Sequence, residues 1–310
     1  MPYGTWIRCN HYNAFSLVRF FSLSARRRDI RSQPADIALV RFLIPAVVLL
    51  PFVLKSMNKI RAVPSNYLLG IIVGSGLPYL LIAGTAMHYA PVSHGSALIP
   101  GTLPLFVSAI AVLCYQQPLS QHRIIGLSAV LLGILVFLLS NLGAEYNWLQ
   151  LKGHSLFLVG SLMWAIFTIS ARVANLNAYV CAGFVSVISF AMLVIAVGFG
   201  WLDSYLATTP IKQWPWNELV GHLMLQGVGA GLIASFTFLY AVRTIGAEAS
   251  AAFGSLTPVL ATLLAIPVFN EQPDTLTWCA LLLVTCGSIV ASNVLMRQDP
   301  SQNYRPPVHR

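Results

Sequence analysis

The side chains best suited to bind a solute stand inside long apolar runs of this sequence. Arg41 lies well inside one of them, roughly 9 Å from its end if the run is helical and each residue adds about 1.5 Å. A guanidinium in such a setting is costly unless it faces water or an opposite charge. Arg41 could therefore contact an anionic group of a solute, or it could snorkel toward nearby headgroups, and both interpretations stay open.

Three aromatic residues with polar edges, Tyr79, Trp164 and Tyr240, also lie within apolar runs. Rings of this kind could line a cavity for a small amphipathic solute. They could equally anchor helices at the interface between lipid and water. With Arg41, these three residues form the predicted solute pathway.

Four titratable residues near the ends of apolar runs are candidates for gating or for coupling to an ion: Glu271, Glu248, His88 and His94. Glu248 begins a predicted helix, where a carboxylate also complements the helix dipole. The histidines could titrate near neutrality, but their separation of six positions suits no shared metal. A solvated helix end would explain each of the four. We identify no catalytic set, metal site or cofactor motif, and we expect a protein that is not an enzyme.

The composition indicates that lipid surrounds most of this chain. Of its 310 residues, 57% are hydrophobic and only 9% are charged, whereas a soluble domain carries about 25% charged residues. The net charge of +9 comes from Arg and Lys in short gaps between apolar runs. It forms no basic stripe, and we therefore expect no nucleic-acid partner. The five cysteines include no CxxC pair and read as packing residues.

Nine apolar runs are long enough to be membrane-spanning helices, which need about 20 residues each. Because they are apolar all round, helices rather than barrel strands are predicted. The runs are 35–54, 67–89, 92–114, 122–140, 154–174, 178–202, 218–242, 246–269 and 274–296.

The distribution of Lys and Arg predicts the orientation of these spans. With the gap after 35–54 in the cytoplasm, Lys152 and Lys212 are the only basic residues after that run that lie outside. With nine spans, Arg26, Arg27, Arg28 and Arg31 would lie outside as well, against this bias. The cytoplasmic C-terminal tail, 297–310, follows from the same placement. Nine basic residues then lie inside: Lys55, Lys59, Arg61, Arg123, Arg172, Arg243, Arg297, Arg305 and Arg310.

The chain repeats itself with an offset of 154 positions. This offset aligns Pro104 with Pro258 and Gly133 with Gly287, in a pattern of proline, apolar run, polar stop and glycine-containing helix. The mapping gives five helices to each half. Because five is odd, the second half enters the membrane in the opposite sense, and inverted repeats of this kind are typical of secondary transporters.

The repeat predicts a first helix upstream of residue 35, where the sequence fits poorly. The only apolar stretch there, 14–25, contains Arg19 and precedes a run of arginines. Twelve residues would cover about 18 Å of a core about 30 Å thick. We therefore predict an irregular segment 1–33 with an impaired first helix, so that nine to ten spans are expected; an interfacial amphipathic helix is the alternative.

Several motifs, in their order and spacing, resemble the EamA-type branch of the drug/metabolite transporter superfamily. They are "PADIALVRFLIPAVVLLP" at 34–51, "MWA" at 163–165, and the Pro, apolar run, Glu and glycine-containing helix of 258–287. The resemblance covers roughly 34–296 and implies an all-α polytopic membrane bundle. Its two EamA-like repeats would be 34–141 and 153–296. The first repeat departs from the pattern, because Gln117 stands where the family usually has an acidic residue.

The resemblance implies a multi-pass transporter of small metabolites in the bacterial plasma (inner) membrane, exporting amino acids or related compounds by alternating access. Its partners would be the lipid bilayer and a small-molecule solute, with a coupling ion and a homodimer left open. Two alternatives stay open at this point. One is a member of the family that does not transport, and the other is a membrane enzyme acting on lipid-linked substrates.

Overall fold

The computed structural model describes residues 34–90, 92–140, 148–269 and 275–291, and this part of the chain is all-α. The predicted first helix, Glu271 and the tail 297–310 lie outside the described residues. The first half contains α1 (Pro34–Lys55), α2 (Met57–Arg61), α3 (Ser65–Ser75), α4 (Leu77–Tyr89), α5 (Val92–Tyr115) and α6 (Gln121–Ser140). The second contains α7 (Trp148–Ala174), α8 (Ala178–Gly198), α9 (Tyr205–Thr208), α10 (Trp216–His222), α11 (Ser235–Ile245), α12 (Ala247–Gly254), α13 (Thr257–Phe269) and α14 (Thr275–Ala291). A 3₁₀ turn, Ile211–Gln213, precedes α10, and a π-helix, Leu223–Ala234, joins α10 to α11.

The predicted polytopic helical bundle is confirmed in this part of the chain. Eight helices are long and apolar enough to cross a membrane, and α14 is a shorter apolar helix of 17 residues. The outer face of the bundle is apolar: Leu113 is 80% exposed, and Leu139 and Ile125 are each 66% exposed. Side chains of this kind are expected to contact lipid tails rather than water.

The last helix of each repeat, α6 and α14, packs against its counterpart through glycines. A Cβ added at Gly126 would lie 2.5 Å from the carbonyl oxygen of Gly287, and one at Gly133 would lie 2.8 Å from that of Ala280. A Cβ at Gly287 would lie 2.6 Å from the carbonyl oxygen of Gly126. Small residues therefore let the two backbones touch, as is common between membrane helices. Since residue numbers rise along α6 as they fall along α14, the helices are antiparallel.

This contact also relates the two repeats by symmetry. Gly126 and Ala280 are 154 positions apart, as are Gly133 and Gly287. Applying the offset to the contact between Gly133 and Ala280 therefore gives the contact between Gly287 and Gly126. Residues exchange roles in this way across a two-fold axis. Because the equivalent helices are antiparallel spans, the repeats are inverted.

The two proline-marked helices, α5 and α13, are also in contact. A Cβ at Gly101 would lie 3.9 Å from Cγ of Pro258, and one at Gly254, which ends α12, would lie 3.9 Å from Leu103 Cδ2. The polar residues that follow the apolar run of the first repeat mark the end of α5. The helix ends at Tyr115, and the next residue, Gln116, has a φ of 52°.

Candidate functional site

The second of the nine predicted runs is broken, although the sequence predicted one continuous helix over 67–89. Gly76 has an extended backbone (φ −89°, ψ −154°) and separates α3 from α4. Pro78 contributes to the break, because it has no N–H to donate and its ring would clash with the carbonyl of Gly74 if the helix continued. The backbone N–H of Leu77 instead donates to the Ser189 hydroxyl at 3.1 Å.

The equivalent span of the second repeat is also irregular. The offset places Gly76 opposite Ala230, inside the π-helix Leu223–Ala234, which contains Gly227, Gly229 and Gly231. A π-helix is rare and is usually found at functional sites. Interrupted spans at matching positions of two inverted repeats mark the binding site in many transporters.

A cavity of about 60 Å³ lies beside both irregular spans, with room for a few water molecules. Residues of both repeats surround it, which places it between the two halves. The first half contributes Arg41, Phe42, Gly74, Ser75 and Tyr79; the second contributes Trp164, Phe167, Ala182, Val185, Ser186, Ala230, Gly231, Ala234, Ser235, Phe238 and Leu239.

Arg41 reaches this cavity because its helix lies directly against the π-helix. A Cβ at Gly231 would lie 2.4 Å from the carbonyl oxygen of Arg41, so only glycine permits the approach. Nη1 of Arg41 donates to Oε1 of Gln226 at 3.5 Å, a long hydrogen bond. Gln226 is 1% exposed, and its amide nitrogen has no hydrogen-bond partner among the described residues. Gln226 itself does not line the cavity, so Arg41 brings the positive charge to it, which suits an anionic ligand.

Aromatic rings form the apolar wall of the cavity. The ring centroids of Tyr79 and Trp164 are 6.3 Å apart, and Trp164 lies 5.4 Å from Phe238. Three of the four predicted pathway residues therefore come together here. Tyr240 does not line the cavity: it is 46% exposed and stacks on Phe236 at 6.1 Å.

An ion pair joins the repeats at one end of the bundle. Nη2 of Arg123, on α6, donates to Oε1 of Glu248, on α12, at 2.7 Å. The side chains are 7% and 28% exposed, respectively. Glu248 lies in the first turn of α12, just after Gly246, whose φ of 92° suits only glycine. The sequence predicted Glu248 as a candidate for gating or coupling, with a helix-end carboxylate as the alternative, and predicted Arg123 only as a basic residue on the cytoplasmic side.

A pair of histidines joins the repeats at the opposite end. Nδ1 of His94, on α5, lies 2.8 Å from Nε2 of His154, on α7, within hydrogen-bonding distance. His94 is 8% exposed and His154 is 2% exposed, whereas His88 lies exposed on α4. His154 was missed in the sequence, because it is the first residue of the apolar run 154–174 and no local pattern links it to His94. The offset of 154 places His94 opposite Glu248 but gives no equivalent residue for His154.

Removing only the charge of Glu248 is expected to destabilise the protein. Glu248→Gln leaves Arg123 charged in a nearly buried site, and we expect the free energy of unfolding to fall by about 1–2 kcal/mol. The double variant Arg123→Gln/Glu248→Gln removes both charges and should recover at least half of the loss, as a thermal melt in detergent would show. A double variant that melts below Glu248→Gln would contradict a paired role for these residues.

A model of the EamA-like transporter family matches residues 15–139 and 151–293, which together make up most of the chain. The chain belongs to the EamA-like transporter family. The two matches correspond to the two repeats, and the first begins within the segment 1–33, outside the described residues. It is thus a multi-pass membrane protein of a transporter family.

Relatives agree with this assignment, and a solved structure shares the fold. The chain is 25% identical over 276 residues to the "Uncharacterized inner membrane transporter YedA" of Escherichia coli K12, covering 85% of this chain and 81% of that protein. It is 20% identical to an "Uncharacterized transporter" of Clostridium kluyveri, covering 83% of each. A crystal structure at 17% identity superposes with a TM-score of 0.67 over 96% of this chain and all of the other. At that identity the likeness concerns the fold alone.

Proposed function

We propose that this protein carries a small metabolite with a carboxylate group, such as an amino acid, across the membrane by alternating access. Net export is the direction that the family resemblance implies. The observation that carries the proposal is the cavity between the inverted repeats, which combines Arg41 with the Tyr79–Trp164 wall. The cavity is amphipathic, and an amino acid has a matching charged end and side chain.

Arg41 is the residue assigned to the carboxylate. A guanidinium offers several N–H donors in a planar fork that matches a carboxylate, and a site removed from water strengthens the contact. The cost of keeping a charge among apolar helices then has a functional reason. The rings of Trp164 and Phe238 would hold the apolar part of the solute.

The two-fold relation between the repeats supports alternating access. Polar contacts join the halves at both ends, Arg123 with Glu248 at one and His94 with His154 at the other. Opening one end while the other stays closed would expose the same cavity to each side in turn. We assign Glu248 and His94 to these closures, and place no role on Glu271, which lies outside the described residues.

The proposal is tested by counterflow in vesicles containing the purified protein. Vesicles are loaded with an unlabelled amino acid and mixed with a trace of its labelled form. Each amino acid is matched with its amide, which keeps the side chain and the ammonium but loses the carboxylate charge. We expect accumulation of at least one amino acid and at least tenfold less of its amide. Equal accumulation of both would refute the assignment of the carboxylate, and accumulation of neither across the twenty amino acids would refute the solute class.

A further inference from the structure

One end of the bundle is held closed by a hydrogen bond between two titratable rings, His94 and His154. It joins α5 of the first repeat to α7 of the second at 2.8 Å, and both side chains are buried. The helices come this close because residue 95 is glycine: a Cβ there would lie 2.6 Å from the ring of Phe157. The edge of His94 also meets the ring of Phe137, with centroids 5.4 Å apart. The pair therefore sits in apolar surroundings, away from bulk water.

The hydrogen bonds indicate where the protons of the neutral pair lie. The Gln150 amide nitrogen, which can only donate, lies 3.4 Å from Nδ1 of His94. Nδ1 of His94 is therefore the acceptor, and Nε2–H of His154 is the donor. The remaining basic nitrogen is Nδ1 of His154, which is buried and has no hydrogen-bond partner among the described residues. A further proton can be added there, but in the closed state it would meet no acceptor among the described residues.

Adding that proton would strain the closed contact. It creates an imidazolium in a dry site and leaves its new N–H unsatisfied, and both effects cost free energy. Separating the helices lets water solvate the charge and accept the hydrogen bond. Protonation therefore favours the open form of this end.

We propose that His94 and His154 form a proton-binding site that opens this end of the transport path when it is protonated. The proposal rests on the alternating access proposed above. The elements around the pair carry two further titratable groups, Lys152 and Tyr89. Nζ of Lys152 donates a hydrogen bond to the hydroxyl of Tyr89 at 3.1 Å. His88 is exposed, and Glu145, Glu271 and Asp274 lie outside the described residues.

The opposite end provides an internal contrast. The repeat offset places His94 opposite Glu248, so equivalent positions close the two ends with different chemistry. A guanidinium stays protonated at all ordinary pH values, and an ordinary carboxylate ionises near pH 4. An ordinary histidine titrates near pH 6.5. Of these two contacts between the repeats, only the histidine pair should therefore respond to pH between 8 and 5.5.

Cysteine labelling tests this without a solute. A variant with all five cysteines replaced by serine receives Ser75→Cys, at a residue that lines the cavity. A membrane-impermeant maleimide is added outside spheroplasts, the side where the basic residues place the histidine end. The thiolate fraction of a cysteine falls over the range from pH 8 to pH 5.5, so every labelling rate below is divided by the rate of a free cysteine at the same pH. We expect this corrected labelling rate to rise at least about fivefold from pH 8 to pH 5.5.

Three variants identify the group that responds. His94→Gln and His154→Gln should each remove the acid activation, because glutamine can hydrogen-bond but does not titrate here. His88→Gln, at an exposed histidine near the same end, should keep it. The proposal is overturned if labelling of the parent slows or is absent in acid, or if activation survives in both pair variants. If neither pair variant folds, the parent and His88→Gln decide.

The outcome is separable from that of the proposed function. Acid-activated labelling that depends on the pair, together with no counterflow of any amino acid, would leave the proton site standing and remove the proposed solute. Counterflow with labelling that slows in acid would keep the carrier and remove the proton site.

Discussion

Arg41→Gln is expected to reduce counterflow of the transported amino acid by about tenfold to a hundredfold. Hydrogen bonds to a charged group contribute about 1.5–3 kcal/mol, and each 1.4 kcal/mol is about a factor of ten. Glutamine keeps some of the length of the side chain and its ability to donate, but it has no charge to offer a carboxylate. Initial rates at low solute concentration, in vesicles with equal protein content, measure the effect.

Two controls separate the charge of Arg41 from its position. Arg41→Lys keeps the charge but loses the planar fork, so it should transport at an intermediate rate. Arg61→Gln removes an arginine that is exposed at the membrane surface and should transport at the parental rate. Parental counterflow in Arg41→Gln would show that Arg41 does not bind the solute.

Gly287→Leu is expected to prevent the two repeats from packing together. The added Cβ would lie 2.6 Å from the carbonyl oxygen of Gly126 and 2.8 Å from the backbone nitrogen of Val130, and backbone atoms cannot move aside as a side chain can. We expect a loss of more than about 3 kcal/mol, at or beyond the usual range for overpacking. Gly287→Ala should lose about 1–3 kcal/mol. Thermal melts and the monodisperse fraction in gel filtration measure both.

Gly84 offers the matched control. It lies in α4, and no atom comes within 4 Å of a Cβ added there. Gly84→Ala and Gly84→Leu should therefore melt within a few degrees of the parent. If the variants at Gly84 and Gly287 lost equal stability, close packing between α6 and α14 would not be what holds the repeats together.

Most of the spans could be predicted from sequence because lipid imposes one demand on every segment: an apolar exterior around a fully bonded backbone. The helices α1, α5 and α8 were placed within a few residues for this reason, α8 ending at Gly198 instead of residue 202. The break at Gly76 was missed. Glycine and proline are tolerated within membrane helices, so Gly76 and Pro78 alone do not distinguish a break from a kink. The choice depends on the hydroxyl of Ser189, far away in sequence.

The candidate site was predicted in part. Arg41, Tyr79 and Trp164 were singled out as polar groups in apolar runs, and the structure brings them to one cavity. Tyr240 met the same criterion but faces outward, because composition does not tell which side of a helix meets lipid. The partners of Glu248 and His94 were missed because they depend on how α6 and α7 pack, which no local pattern shows.

The inverted arrangement of the repeats is tested most directly at Gln121 and Thr275. These residues are 154 positions apart, begin α6 and α14, and are both exposed. A single cysteine at each position, in the cysteine-free background, is labelled with impermeant maleimide in spheroplasts and in inside-out vesicles. We predict that Thr275→Cys reacts only in spheroplasts and Gln121→Cys only in inside-out vesicles. Reaction of both cysteines from the same side of the membrane would contradict inverted repeats, and with them the carrier built on that symmetry.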